Sequence, residues 1–126
     1  KFERSVNWLI SKEDFKDMEL QIDAFSKQKK LKSPQAKALL DQYFDMIETF
    51  FLQINGINTI DFNHLSDYPI VPMNFEERYH YMVARKYHFM GYRQMKTLKS
   101  ELIKMNASYQ IRQKKKGTGQ KSHFSE

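Results

Sequence analysis

The stretch that decides the fold is residues 33–56, SPQAKALLDQYFDMIETFFLQING. It begins with Ser33 and Pro34, a hydroxyl that can cap a helix followed by a proline at the first helical position. It ends at Asn55 and Gly56, where glycine readily adopts the left-handed conformation that closes a helix. Between these signals, apolar residues recur at alternating spacings of four and three: Ala36, Leu40, Tyr43, Ile47, Phe50 and Ile54. That spacing, widened by further apolar neighbours, predicts a helix with one broad face buried in a core.

Three more amphipathic helices are predicted outside this stretch. Ser11 and Asp14 form a capping-box pattern at the start of a helix over residues 12–30. Asn74 is the expected N-cap of a third helix. Gly91 either marks the turn before the last helix or allows two helices to approach closely. The last helix is indicated by a stripe with the same alternating spacing, Met95, Leu98, Leu102, Met105 and Tyr109.

Four apolar stripes of this kind must bury one another, which predicts an all-α fold, a four-helix bundle-like single domain. Residues 57–72 form a connection that is long for a bundle, and Pro69 and Pro72 forbid a continuous helix there. This long crossing connection either crosses the bundle or caps one of its ends. A short helical turn is expected within residues 61–68.

Length and composition are typical of one globular domain. The chain has 126 residues, of which 40% are hydrophobic, enough for one core but not for two. Residues 1–111 are assigned to the bundle and residues 112–126 to a flexible, disordered basic tail, because the sequence turns polar there. The chain has no Cys, no apolar run of the ~18–20 residues that cross a membrane, and no recognisable signal peptide. A cytoplasmic location without membrane association is therefore expected.

Basic residues are concentrated at the C-terminal end. Residues 1–75 carry 9 Lys or Arg against 11 Asp or Glu, whereas residues 76–126 carry 12 against 4. The net charge of +6 therefore comes from the second part of the chain. Such asymmetry favours an anionic partner for that part. The alternative is a solvated surface and a tail that keep the protein soluble.

Recognisable motifs of catalysis and cofactor binding are missing. The sequence has no glycine-rich phosphate loop and no nucleophile elbow. Glu77 and His80 form a Glu-x-x-His pair, but a di-iron centre needs that pair on two helices and it occurs here once. If Phe75 and Tyr79 face the core, both side chains point to solvent. No catalytic residue, metal site or cofactor is assigned.

Three carboxylates follow one another at spacings of four and three within residues 33–56: Asp41, Asp45 and Glu48. They would serve acid–base or metal chemistry only if they were buried. Because they lie opposite the apolar stripe, they predict a solvated acidic face. The alternative is that this face docks a basic protein partner.

A set of cations near the end of the chain is the sharpest candidate site. On one continuous helix, those between residues 85 and 104 span an arc of about 140° beside Leu98 and Leu102. Cations on one face, continued by the tail, are what binding to a phosphate backbone requires. The predicted nucleic-acid contacts are Arg85, Lys86, Arg93, Lys96, Lys99, Lys104, Lys114, Lys115 and Lys116. The aromatic residues interleaved with them, which could stack on bases, are Tyr81, Tyr87, Phe89 and Tyr92. The alternative is that the aromatics belong to the core and the cations are merely solvated.

Residues 69–78, PIVPMNFEER, resemble the Pro-x-Asn-x-x-Glu-Arg region of the YpoC-like family of small bacterial proteins. The resemblance covers about residues 69–105 and is continued by Tyr87, His88, Gln94, Met95 and residues 98–102. It assigns no activity and no catalytic residue. Because genes of the family commonly lie beside those of a primosome protein and a base-excision endonuclease, the resemblance implies an accessory role near DNA replication or repair.

The same motif also has a purely structural explanation. Asn74 would cap the next helix, and Glu76 and Glu77 would favour its positive end. Arg78 lies one turn further on and would tie the preceding loop down. The motif therefore identifies no binding residue by itself.

The missing motifs favour a non-enzymatic helical adaptor that binds a protein partner. Seven Met and 14% aromatic residues suit an adaptable interaction surface. The alternative is an accessory protein of DNA replication or repair that binds nucleic-acid backbone through the basic face of the last helix and the tail. The sequence leaves the partner and the oligomeric state open, since the wide apolar face within residues 33–56 could also form a dimer interface.

Overall fold

The computed structural model describes residues 9–125, with side chains up to residue 115. Within these residues the chain forms four α-helices, one 3₁₀ helix and no strand. In chain order the elements are α1 (Lys12–Lys27), α2 (Pro34–Asn55), the 3₁₀ helix (Phe62–Asp67), α3 (Phe75–Ala84) and α4 (Phe89–Ser125). The predicted all-α fold is confirmed. None of these helices is both long and apolar enough to span a bilayer.

The start and stop signals of the first two helices act as predicted. Ser11 Oγ accepts a hydrogen bond from the Asp14 amide at 3.2 Å, and Asp14 Oδ2 accepts one from the Ser11 amide at 2.9 Å, which completes the capping box. Ser33 Oγ accepts a hydrogen bond from the Ala36 amide at 3.2 Å. Gly56 closes α2 in the left-handed conformation, with a φ of +66°.

The turn after α1 comes earlier than the sequence predicts. α1 ends at Lys27 rather than at residue 30. Lys29 adopts a left-handed φ of +58°, and its amide donates a hydrogen bond to the Ser26 carbonyl at 2.9 Å. This reversal lets Leu31, which is 7% exposed, enter the core. The burial of one apolar side chain thus outweighs the helix-favouring composition of the lysine-rich turn.

α2 lies at the centre of the fold, because both α1 and α4 pack on it, while α3 packs on α4. Tyr43 of α2 is fully buried, and its ring meets Phe15 and Tyr92 edge-on, with ring centroids 6.2 and 5.7 Å apart. The predicted stripe of the last helix faces inward, since three of its members are at most 1% exposed: Met95, Leu98 and Leu102.

The connection between α2 and α3 covers the end of the bundle at which α2 ends. Asn55 holds it there: its side-chain amide donates to the Ile70 carbonyl at 2.9 Å, and its side-chain oxygen accepts from the Ile70 amide at 2.8 Å. Phe62 of the 3₁₀ helix packs on Phe75 and Tyr79 of α3. Of the two arrangements considered for the connection, the structure therefore shows a cap on one end.

Asn74 occupies the predicted N-cap position of α3 but does not cap with its side chain. Its backbone is left-handed, with a φ of +57°, and the side chain makes no capping hydrogen bond. Arg78 ties the loop down as predicted, because its guanidinium donates to the Met73 carbonyl at 3.1 Å.

α4 is longer than the sequence predicts. It continues past Ile111 to Ser125. Residues 112–116 are Arg, Gln and Lys, which are good helix formers, and extending an existing helix needs no new nucleus. From Gln110 to Lys115 every side chain is exposed. The division at Arg112 into a bundle and a flexible tail stays a prediction.

Candidate nucleic-acid interface

Three cations lie in line on the outer side of α4, and we call them the basic ridge: Arg93, Lys104 and Lys115. Each follows the previous one by eleven residues, or about three helical turns, so they share a face within about 40° and stand about 16 Å apart along the axis. All three are exposed. Their outward direction follows from the burial of Met95, Leu98 and Leu102 on the opposite side of the helix.

The helix that carries the ridge is poor in acidic residues. Phe89–Ser125 contains nine Lys or Arg and one acidic residue, Glu101. Arg78 of α3 holds Glu101 in a two-pronged ion pair with N–O distances of 3.0 and 2.9 Å. Arg78 Nε also donates to Gln94 Oε1 at 2.8 Å. The ridge therefore faces solvent without a free carboxylate on the described part of its own helix.

Lys96 and Lys99 lie on the side of α4 that faces α1. Lys99 Nζ is 2.7 Å from Glu19 Oε2, and both side chains are mostly buried, 14% and 16% exposed. Lys96 Nζ is 3.7 Å from Asp23 Oδ1. The structure does not bring these two lysines together with the ridge, and their contact with nucleic acid stays a prediction.

Arg85 and Lys86 do not belong to α4. The chain turns between Ala84 and Phe89, so the continuous helix assumed for these cations is wrong. Lys86 Nζ binds Asp41 Oδ1 at 3.1 Å, and the Arg85 guanidinium lies over the ring of Tyr81, 5.8 Å from its centroid. Neither lines up with the ridge.

The tail lysines are described only in part. Lys114 is exposed beside Lys115 on the last described turns of side chains. The side chain of Lys116 lies outside the described residues. The contact of these three lysines with nucleic acid stays a prediction.

The acidic face predicted on α2 is divided. Asp45 is exposed, but Asp41 and Glu48 are half-buried and bind residues that follow α2 in the chain. The Tyr87 hydroxyl donates to Asp41 at 2.7 Å and the Tyr79 hydroxyl donates to Glu48 at 2.8 Å. The bond from Tyr87, followed by the attraction of Lys86, lowers the pKa of Asp41 against the opposing effect of desolvation. A purely solvated face is therefore wrong for Asp41 and Glu48, and docking of a basic partner here stays a prediction.

The four aromatic residues among the cations differ in how far their rings are exposed. Tyr92 is fully buried in the core, so it cannot stack on a base. Tyr87 is half-buried against Asp41. Tyr81 and Phe89 are 36% and 51% exposed. The guanidinium of Arg85 lies over the ring of Tyr81, so among these four rings only that of Phe89, at the start of α4, is exposed without a cation over it.

A polar network between α1, α2 and α4 was not anticipated from the sequence. Glu19 accepts hydrogen bonds from the Tyr43 hydroxyl and ion-pairs with Lys99, while Asp23 accepts one from the Tyr92 hydroxyl at 2.7 Å. Burial first, and these carboxylates second, raise the pKa of both tyrosines above the ordinary value of 10. The available signal was the spacing of Glu19 and Asp23, four residues apart at the edge of the α1 stripe.

Metal-binding groups do not gather in the described part of the chain: no three His, Asp or Glu side chains lie close enough to hold an ion. His80 Nε2 is 3.7 Å from Glu76 Oε2, and both side chains are more than half exposed. Glu77 is also exposed. The predicted outward direction of Glu77 and His80 is confirmed.

A shallow groove of about 570 Å³ runs between the outer sides of α3 and α4, and we call it the α3–α4 groove. It is lined by Arg78 and by the exposed side chains of Glu77, Tyr81 and Met90. Arg93, the first residue of the ridge, lines it as well. The groove and the ridge therefore form one continuous outer surface.

Comparison with known proteins identifies a family but no function. A family model described as YpoC-like protein matches residues 7–114, which extends the resemblance noted for residues 69–105 to nearly the whole bundle. No curated protein and no solved structure matches the chain. The chain belongs to the YpoC-like family.

Proposed function

We propose that this protein is a non-enzymatic accessory protein that binds nucleic-acid backbone through the basic ridge of α4. The observation that carries the proposal is the ridge itself, three exposed cations in line on a helix whose one described acid is neutralised by Arg78. Lys and Arg that meet phosphates release condensed counterions, and this release drives binding without regard to sequence.

The surface between the cations also suits a phosphate backbone. Thr97 and Ser108 are exposed on the same side of α4 and carry hydroxyls that can donate to phosphate oxygens. No base-reading motif accompanies them, so we expect binding without sequence preference. A role near DNA replication or repair, which the family resemblance implies, would make use of such binding.

The test is a titration of fluorescent duplex DNA at about 50 and 200 mM salt. The wild type should bind at low salt and weaken steeply at the higher concentration. The double substitution R93E/K104E should weaken binding at least tenfold at low salt and flatten the salt dependence, because each lost phosphate contact removes about 0.9 from the slope of log K against log salt.

The matched control is K12E/K16E, which changes the net charge equally on two exposed lysines of α1. It should cost much less affinity than R93E/K104E. Equal losses for the two variants would show a general charge effect and contradict a site on the ridge, and so would a wild type that fails to bind at low salt. Circular dichroism of both variants verifies the helical fold.

A protein adaptor is the second candidate, favoured by the exposed apolar side chains along the α3–α4 groove. Tyr81, Met90 and the neighbouring Met73 are 36%, 54% and 79% exposed. Since Arg93 and the exposed Glu77 line the same groove, the best-matched partner is a segment with an apolar anchor and an acidic side chain placed to meet Arg93. Y81A and M90A would weaken such a partner while leaving the salt-dependent binding of DNA unchanged, which separates the two candidates.

A further inference from the structure

A second surface of interest lies at the opposite end of the bundle from the α2–α3 connection. There the turn between α1 and α2 meets the turn between α3 and α4. They enclose a cleft of about 440 Å³, which we call the turn-end cleft, lined by Ser26, Lys29, Leu31, Lys32, Tyr87, His88 and Phe89. Pockets that hold small ligands usually measure about 300–1,000 Å³.

The shape of the cleft is set by the core beneath it. Leu31 is buried and anchors the first turn, and the left-handed backbone of Lys29 directs the chain around it. The His88 amide donates to the Arg85 carbonyl at 3.0 Å and fixes the second turn. Two anchored turns, rather than two loose loops, thus carry the exposed side chains that line the cleft.

The two turns are strongly basic. Residues 28–33 and 85–88 contain five Lys or Arg and no Asp or Glu. Only Lys86 has an ion-pair partner among the described residues, which is Asp41. The start of α4 adds the positive end of its helix dipole to the same region. The cleft therefore attracts anions by charge that its own residues do not neutralise.

An exposed aromatic ring accompanies these charges. Phe89 is 51% exposed at the first position of α4, where it lines the cleft instead of the core. Lys37 and Lys86 lie over the ring of Tyr87, with Nζ 5.1 and 5.9 Å from its centroid, so that ring is already occupied. Phe89 is the flat apolar surface that remains open beside Lys29 and Lys32.

We propose that the turn-end cleft binds a nucleotide unit of single-stranded nucleic acid, with a base stacked on Phe89 and its phosphate beside Lys29 and Lys32. Stacking on an aromatic side chain combined with cations along the backbone is the usual mode of single-strand binding. The paired bases of a duplex are already stacked on one another, so they are not free to stack on Phe89. The cleft goes beyond the proposed function, since it shares no residue with the basic ridge.

The experiment measures the affinity of the full chain for hexathymidylate and for a DNA duplex at low salt. F89A should weaken binding of hexathymidylate about tenfold, the range expected for one lost stack, and leave duplex binding within twofold of the wild type. F89W should restore the affinity, because it returns a stacking surface. K29E/K32E should also weaken hexathymidylate binding and lower its salt dependence, by about 0.7 in slope per lost contact.

The ridge variant R93E/K104E makes the two sites distinguishable. If R93E/K104E abolishes duplex binding, and F89A still weakens hexathymidylate binding when added to that variant, both sites are supported. If R93E/K104E leaves duplex binding unchanged while F89A weakens hexathymidylate binding, the proposed function fails and the cleft is still supported. The inference is overturned if F89A binds hexathymidylate as tightly as the wild type, or if a hexaglutamate peptide binds as tightly as hexathymidylate, since the cleft would then recognise charge alone.

Discussion

At the scale of single residues, one kind of hydrogen bond recurs between elements: a tyrosine hydroxyl donates to a carboxylate on another helix. Each pair joins an acid of α1 or α2 to a residue further along the chain. Burial is the leading cause that raises the pKa of Tyr43, Tyr79 and Tyr92 above the ordinary value of 10, so these hydroxyls remain donors at a higher pH than an exposed tyrosine does. The four pairs are Tyr43–Glu19, Tyr79–Glu48, Tyr87–Asp41 and Tyr92–Asp23.

The pair of Tyr87 and Asp41 makes a prediction about pH. The hydrogen bond from Tyr87 is the leading cause that lowers the pKa of Asp41 below its ordinary value of 3.8. A lowered pKa means that the ionised carboxylate stabilises the fold at neutral pH and that this stabilisation is lost as the pH falls through the folded-state pKa. Y87F should therefore move the pKa of Asp41 upward, as measured by an NMR titration of its carboxyl carbon.

The control for this titration is Y81F, which removes the hydroxyl of a tyrosine that does not bind Asp41. It should leave the pKa of Asp41 where it is in the wild type. An equal titration midpoint in Y87F and the wild type would show that Lys86 and Lys37, rather than Tyr87, lower this pKa and would contradict the assignment.

At the scale of elements, the sequence predicted those helix limits that are set by residues close by in the chain. The limits of α2 follow from Ser33, Pro34 and Gly56, which act within a few residues of themselves. The end of α1 was not predictable in this way, because it depends on the burial of Leu31 against distant residues. The same reason explains the cap of α3, where the path of the connection places Asn74 in a left-handed backbone.

The candidate site was predictable to a smaller extent. A helical arc drawn through residues 85–104 assumes one helix, but the chain turns after Ala84, so Arg85 and Lys86 leave the arc. The sequence places Lys96 and Lys99 among the predicted nucleic-acid contacts, because it does not reveal that α1 brings Glu19 and Asp23 against them. What remained correct is the outward direction of Arg93 and Lys104, which follows from the buried stripe alone.

The turn between α3 and α4 depends on Gly91. A Cβ added at this position would lie 1.8 Å from the carbonyl oxygen of Arg85, which is backbone and cannot move away cheaply. G91A should therefore destabilise the protein by about 2 kcal/mol or more, as overpacking does, although alanine is the better helix former. Urea unfolding followed by circular dichroism measures the change.

The comparison variant for this test is G56A, since Gly56 closes α2 in open space with a φ of +66°. Its cost should be limited to about 1–2 kcal/mol for a left-handed alanine. If G91A proves no more destabilising than alanine at Gly56, the close approach of the Arg85 carbonyl does not constrain the turn.

At the scale of the whole molecule, the distribution of charge follows from the way the helices pack. Several acidic side chains of α1 and α2 form ion pairs or hydrogen bonds with lysines and tyrosines of later elements, as Glu19 and Asp41 illustrate. Apart from Lys86, the cations at the turn end and those along the outer side of α4 have no such ion-pair partners among the described residues. A chain with a net charge of +6 therefore presents its excess in two places, the basic ridge and the turn-end cleft.

The last part of α4 allows a test of whether residues 112–126 contribute to DNA binding without contributing to the stability of the bundle. From Gln110 to Lys115 the side chains are exposed, so removing residues 112–126 takes little described surface out of contact with the bundle. A chain that ends at residue 111 should keep its Tm within about 2 °C of the full chain, as expected for changes at an exposed surface. It should nonetheless bind duplex DNA more weakly and with a shallower salt dependence, because it loses five Lys or Arg and only one acid. A drop in Tm of more than about 5 °C would instead mean that the end of α4 packs on the bundle and belongs to its core structure.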